Sequence, residues 1–146
     1  MNDLREFKAL ENFINEYPVQ MEDLDAQLKH PRSAKIDAIP TASGGCRTDD
    51  AWLNIMAKKE RLAWNYGHRV EKYMRIKKAL ALLSDDEFYV LNLFYIDRPM
   101  SENRARGNEH VKRCMDKFFC SRSEVYRRSK AALRVFTIAL YGIESD

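Results

Sequence analysis

The chain is expected to be all-α, and three features of the sequence say so. Only five glycines and four prolines occur in 146 residues, while 45% of positions are hydrophobic and 32% charged. Leu, Ala, Lys, Arg and Glu dominate, and these are the residues that lose least on entering a helix. Apolar residues recur at three- and four-residue spacing through most of the chain.

The elements follow in order. Leu4, Phe7, Leu10, Phe13 and Ile14 predict an amphipathic helix over 2–16. Tyr17-Pro18 is expected to break it, because a residue before proline is biased away from the helical region. Val19, Met21, Leu24 and Leu28 predict a shorter second helix ending before Pro31. "PRSAKIDAIPTASGGCRT", residues 31–48, has two prolines and paired glycines and reads as a mobile loop or linker. From Asp49 to Leu83 one long helix is expected. Its stripe runs through Trp52, Ile55, Met56, Leu62, Ala63, Tyr66, Val70, Tyr73, Ile76, Leu80 and Leu83. Such a helix reaches ~50 Å, so the stripe is expected to pack on the N-terminal helices or on a second copy of the chain, a homodimer. Of Trp52, Trp64, Tyr66 and Tyr73, all but one or two are expected in the core.

"LSDDEFYVLNLFYI" opens with Ser84 and Glu87 in capping-box spacing and continues apolar nearly all round, as a buried helix does. "DRPMSENRARGN" is a polar break. Val111, Cys114, Met115 and Phe118 predict a short helix over 109–118. Phe119-Cys120 turns the chain, and Ser121 with Glu124 repeats the capping-box spacing at the start of a last helix running to about Leu140. The chain is read as a helical part over 1–83, for oligomerisation or partner binding, followed by a domain over 84–146.

Net charge is only +3, yet residues 1–49 carry six Lys/Arg against nine Asp/Glu, and residues 98–134 carry eleven against four. A polyanion is therefore expected at one end only. The last helix, in "CSRSEVYRRSKAALR", sorts its residues by face. Val125, Ser129, Ala132 and Phe136 fall on one side, with Leu133 at its edge. Ser123, Arg127, Lys130 and Arg134 face away, with Arg122 and Tyr126 at one border and Arg128 at the other. A solvated face usually interleaves Glu with Lys. A cationic face with hydroxyls suits DNA phosphates, and a short helix, a tight turn and a second helix form a helix-turn-helix, whose arginines can reach guanine in the major groove.

Residues 84–141 resemble region 4 of bacterial sigma factors, and more closely phage transcriptional regulators of the ArpU/RinA type. "LSDDEFYVLNLFYID" is similar to the helix before their helix-turn-helix, and "CSRSEVYRRSKAALRVF" to their recognition helix. The resemblance implies a trihelical head and a phage or prophage regulator that binds promoter DNA, often to activate late genes. Carried over by position, Arg122, Ser123, Tyr126 and Arg127 are the groove contacts. Phe119 stands where such motifs often have glycine, and Arg128 where an apolar residue is common.

The implied partners are double-stranded DNA and possible RNA polymerase. Small terminase subunits share such motifs and make DNA packaging the alternative; a helical protein-interaction module is another. No cofactor, metal or enzyme activity is expected. His110, Cys114 and Cys120 fall short of a four-ligand zinc set. A charged N-terminus, three unpatterned cysteines and no long apolar run point to a cytoplasmic protein without a membrane span.

Overall fold

A computed structural model describes residues 1–29, 47–97 and 108–142, and among them every regular element is helical. The elements are α1 (Asn2–Lys29), α2 (Arg47–Leu80), α3 (Asp85–Leu91) running into a π turn (Asn92–Ile96), α4 (Glu109–Phe118) and α5 (Arg122–Tyr141). The sequence-predicted segments 31–48 and 97–108 lie almost wholly outside the described residues, as do Cys46, Arg104 and Arg106. No helix among the described residues is long and apolar enough to cross a membrane.

The chain divides into two compact units, one of residues 1–11 and 71–146, the other of residues 12–70. The sequence-based division at residue 83 falls inside the first unit.

The first unit holds both apolar clusters. One gathers Leu4 and Leu10 of α1, Ile76, Ala79 and Leu80 of α2, Leu91, Ile96, and Ala132 and Phe136 of α5. The other gathers Val90, Phe94, Val111, Cys114 and Val125, joining α3, α4 and α5. The π turn lets one segment serve both. Asp97 N–H donates to the Asn92 carbonyl at 2.8 Å, five residues back. Leu91 and Ile96, five apart, thereby share the first cluster, whereas Val90 and Phe94 enter the second. Asn92 also donates from its side chain to the Asp97 carboxylate at 2.6 Å. A strict 3.6-residue period does not foresee this bulge.

Start and stop signals act as their chemistry requires. Ser84 caps α3 with both bonds of the box in place: its hydroxyl accepts from Glu87 N–H, and the Glu87 carboxylate accepts from Ser84 N–H at 2.9 Å. Gly142, at φ 67°, closes α5 with its N–H on the Ile138 carbonyl at 2.8 Å. Around the first cluster, Lys72 pairs with Glu6 at 2.6 Å and Asp3 at 3.1 Å, and the Tyr141 hydroxyl donates to Asp3.

The Tyr141 hydroxyl, with Lys72 beside it, holds the Asp3 carboxyl below the usual carboxylate range. A group with a depressed folded pKa stabilises above its unfolded pKa, and that contribution is lost as pH falls through the folded value. Asp3→Asn should therefore flatten the fall of melting temperature below about pH 4. An unchanged acid limb in thermal melts would show that Asp3 carries none of it.

In the second unit the rest of α1 runs antiparallel to most of α2. Tyr17 stacks on Tyr66 with centroids 3.8 Å apart, the Arg69 guanidinium lies 4.1 Å over the Phe13 ring, and Lys59 pairs with Asp25. The helix break expected at Tyr17-Pro18 does not occur: α1 continues through Pro18. Proline in a helix interior loses a backbone bond and costs about 3 kcal/mol. Packing of Phe13 and Tyr17 on α2, on the turn before Pro18, outweighs that local preference. No residue of 12–70 whose side chain is described is buried, because a two-helix layer has no third element to close it. Trp52 is 48% exposed and Trp64 67%, while Tyr66 and Tyr73 are half-buried against Tyr17 and Phe7.

Candidate nucleic-acid interface

The sequence at 109–141 folds locally as its periodicity requires. Val111 and Cys114 turn inward from α4, with Met115 and Phe118 half-buried. Phe119, Cys120 and Ser121 connect α4 to α5. The Ser121 hydroxyl accepts from Glu124 N–H at 3.4 Å. Val125, Ser129, Ala132 and Phe136 are all buried, so the inward face of α5 is the one its pattern specifies. α5 packs by that face on α3 and α4.

Of the residues expected to touch DNA, Ser123, Arg127, Lys130 and Arg134 lie away from that buried face, and Arg122 and Tyr126 lie at its border. Arg122, Ser123, Tyr126, Arg127, Lys130 and Arg134 are exposed. At roughly 100° per residue they occupy a sector of about 140° along α5. Arg122 donates to the Asn108 side chain at 3.1 Å and lies 5.9 Å over the Tyr126 ring. Tyr126 sits edge-on to Phe94 at 6.0 Å and is 41% exposed. Ser123 and Ser121 hydroxyls are 3.0 Å apart. Lys130 and Arg134 make no ion pair with the described residues.

Glu124 departs from the expectation. The second capping box is half formed: its carboxylate turns from Ser121 to the arginines. Arg127 engages it through two nitrogens, at 2.8 and 2.9 Å, and Arg128 at 3.3 Å. Two guanidinium groups outcompete one backbone N–H for the same carboxylate, because a charge-assisted bidentate contact is the stronger. The Arg127 pair holds the Glu124 carboxyl below its usual range and raises Arg127. The face is thus less purely cationic than its sequence suggests. The Glu-to-Arg spacings of three and four in "EVYRR" were the available signal.

Arg128 stays out of the core, with its guanidinium 4.9 Å over the Phe118 ring. The side chain as a whole remains 42% exposed. Lys117, which sequence reasoning passed over, lies 3.8 Å over the Tyr89 ring.

Cys114 is fully buried and burial pushes its thiol pKa up. The His110 ring stands edge-on to Phe94 at 4.5 Å. No group of three or more metal-ligating side chains gathers among the described residues. No family model matches the chain, and neither a curated protein nor a solved structure matches it.

Proposed function

We propose that the chain is a sequence-specific double-stranded DNA-binding transcriptional regulator, with α4 and α5 as a helix-turn-helix and α5 as its recognition helix. One observation carries this: a single exposed sector of α5 holds Arg122, Arg127, Lys130 and Arg134, with Lys130 and Arg134 unneutralised by the described residues. Like charges held on one face repel and add nothing to folding, and phosphates offset them. In this reading the start of α5 enters the major groove, Arg122, Ser123, Tyr126 and Arg127 meet bases or nearby phosphates, and Lys130 and Arg134 meet phosphates. The likeness to phage regulators of the ArpU/RinA type supports activation of late or prophage genes in the host cytoplasm.

The testing experiment is titration of the full chain with labelled duplexes at several salt concentrations. Steep salt dependence, with one sequence enriched from a random pool, supports the reading; no duplex binding at low salt ends it. Lys130→Ala and Arg134→Ala should each weaken all sequences alike and flatten the salt slope by about one. An unchanged slope would place both residues off the DNA. Glu124→Gln should tighten binding to random duplex, because phosphate no longer competes with a carboxylate for Arg127 and Arg128. Equal affinity of variant and wild type would show that the ion pairs persist on DNA.

The exposure of Trp52, Leu53 and Trp64 favours protein binding by the 12–70 unit as well. Leu53, Ala57, Ala63, Trp64 and Gly67 lie on one exposed side of α2 around Glu60, and a Cβ at Gly67 would meet nothing within 4 Å. A large indole beside small residues suits packing on the same face of a second copy, which is the occupant proposed, ahead of RNA polymerase. Light scattering should give a dimer that Trp64→Ser converts to monomer. A ring-sized assembly would favour DNA packaging instead.

A further inference from the structure

The turn between α4 and α5 contains a residue that folding does not explain. Phe119 is the only non-glycine among the described residues with positive φ, at 49°, and it is 95% exposed. A side chain in the left-handed region crowds its own backbone, and a bulky aromatic there is an outlier that glycine or asparagine would relieve. Nothing in the fold repays the strain. The neighbouring Phe118 supplies the aromatic that packs inward, edge-on to Tyr89 at 5.9 Å. The turn is closed by the backbone, with the N–H groups of Phe119 and Cys120 both directed to the Met115 carbonyl. A glycine would make the same two bonds.

Strain held at an exposed side chain points to a use outside the fold. The setting says which. Phe119 lies two residues before the Ser121 cap of α5, with exposed Lys117 and Arg122 on either side in the chain. It therefore travels with the cationic start of α5 rather than with an apolar patch. The major-groove edge of DNA presents one apolar group, the 5-methyl of thymine. We propose that Phe119 is a specificity residue that packs against a thymine 5-methyl group as the start of α5 enters the groove, an inference that rests on the DNA-binding reading above. The backbone bonds of the turn fix the direction of the Phe119 Cα–Cβ bond before binding.

The test uses the full chain, the best duplex selected from a random pool, and copies of it with each thymine in turn replaced by deoxyuridine. Removing one methyl contact should weaken wild-type binding roughly fourfold at one position. Phe119→Gly should weaken binding to the parent duplex by at least as much and be insensitive to that replacement. Its melting temperature should not fall, since glycine relieves the strain. Phe119→Asn, which also tolerates the left-handed region, should behave alike. Parent-duplex affinity unchanged in both variants would overturn the inference while leaving the DNA-binding reading intact. Weakened variants without any deoxyuridine effect would overturn the thymine assignment. Failure of wild type to bind any duplex would overturn both at once.

Discussion

Leu4→Ala should destabilise the unit that carries α5 by about 2–5 kcal/mol, although 117 positions separate Leu4 from the Ser121 cap. Leu4 is 0% exposed and belongs to the same cluster as Ala132 and Phe136 on α5. Truncation leaves a cavity that helices on several sides cannot jointly collapse, so the lost contacts add to the lost burial. Phe136→Ala, at a residue 1% exposed in that cluster, should cost about 3–5 kcal/mol by the same mechanism. Val19→Ala, at a 60% exposed site, is the control and should stay within about 0.5 kcal/mol. Urea denaturation followed by helical circular dichroism measures all three. A Leu4 variant indistinguishable from the Val19 variant would mean that the start of α1 is not docked in solution. Well below its melting midpoint, the Leu4 variant should bind DNA like wild type, which separates loss of fold from loss of contact.

Arg127→Ala should cost about 1–3 kcal/mol on the selected site and less on random duplex, if its guanidinium reads a guanine. The side chain is 79% exposed, so its removal disturbs no packing. The free protein holds Arg127 on Glu124 through two nitrogens, and this ion pair must open or be shared when a base takes its place. An exposed pair of this kind is worth little in water, so it aims the guanidinium without locking it. Arg127→Lys should fail to restore specificity, because an ammonium cannot make the planar two-bond contact. Equal affinities of wild type and Arg127→Ala on the selected site would remove Arg127 from base readout. Combining Glu124→Gln with Arg127→Ala in a cycle shows whether the carboxylate acts through this arginine or through Arg128.

Local chemistry made much of this legible. The inward face of α5 and the bounds of α4 follow from apolar spacing alone, since each helix packs by one stripe. The Ser84 box follows from two residues at fixed spacing. What escaped depends on distance or competition. Pro18 argues locally for a break, and the contacts that oppose it, Tyr66 on Tyr17 and Arg69 on Phe13, come from far along the chain. Leu4 and Leu10 share a core with α5 that no local pattern announces. In the candidate interface, the outward set on α5 was readable from the wheel. The diversion of Glu124 to two arginines was not, because a capping serine and a guanidinium want the same oxygen atoms and side-chain geometry decides.

The π turn at Asn92–Ile96 has a consequence for how this chain can vary. It is a place that can lose a residue more easily than gain one. A π turn carries one extra residue in an α-helix, so Leu91 and Ile96 share an interior at a spacing of five where an ordinary helix uses four. Deleting one residue between them leaves Leu91 and Ile96 four apart and Val90 and Phe94 three or four apart, all same-face spacings of an α-helix, so both interiors should persist. Inserting one more residue puts Leu91 and Ile96 six apart and should uncouple them. Among variants of this chain that still fold, the spacing from Leu91 to Ile96 should be five or four, and not six.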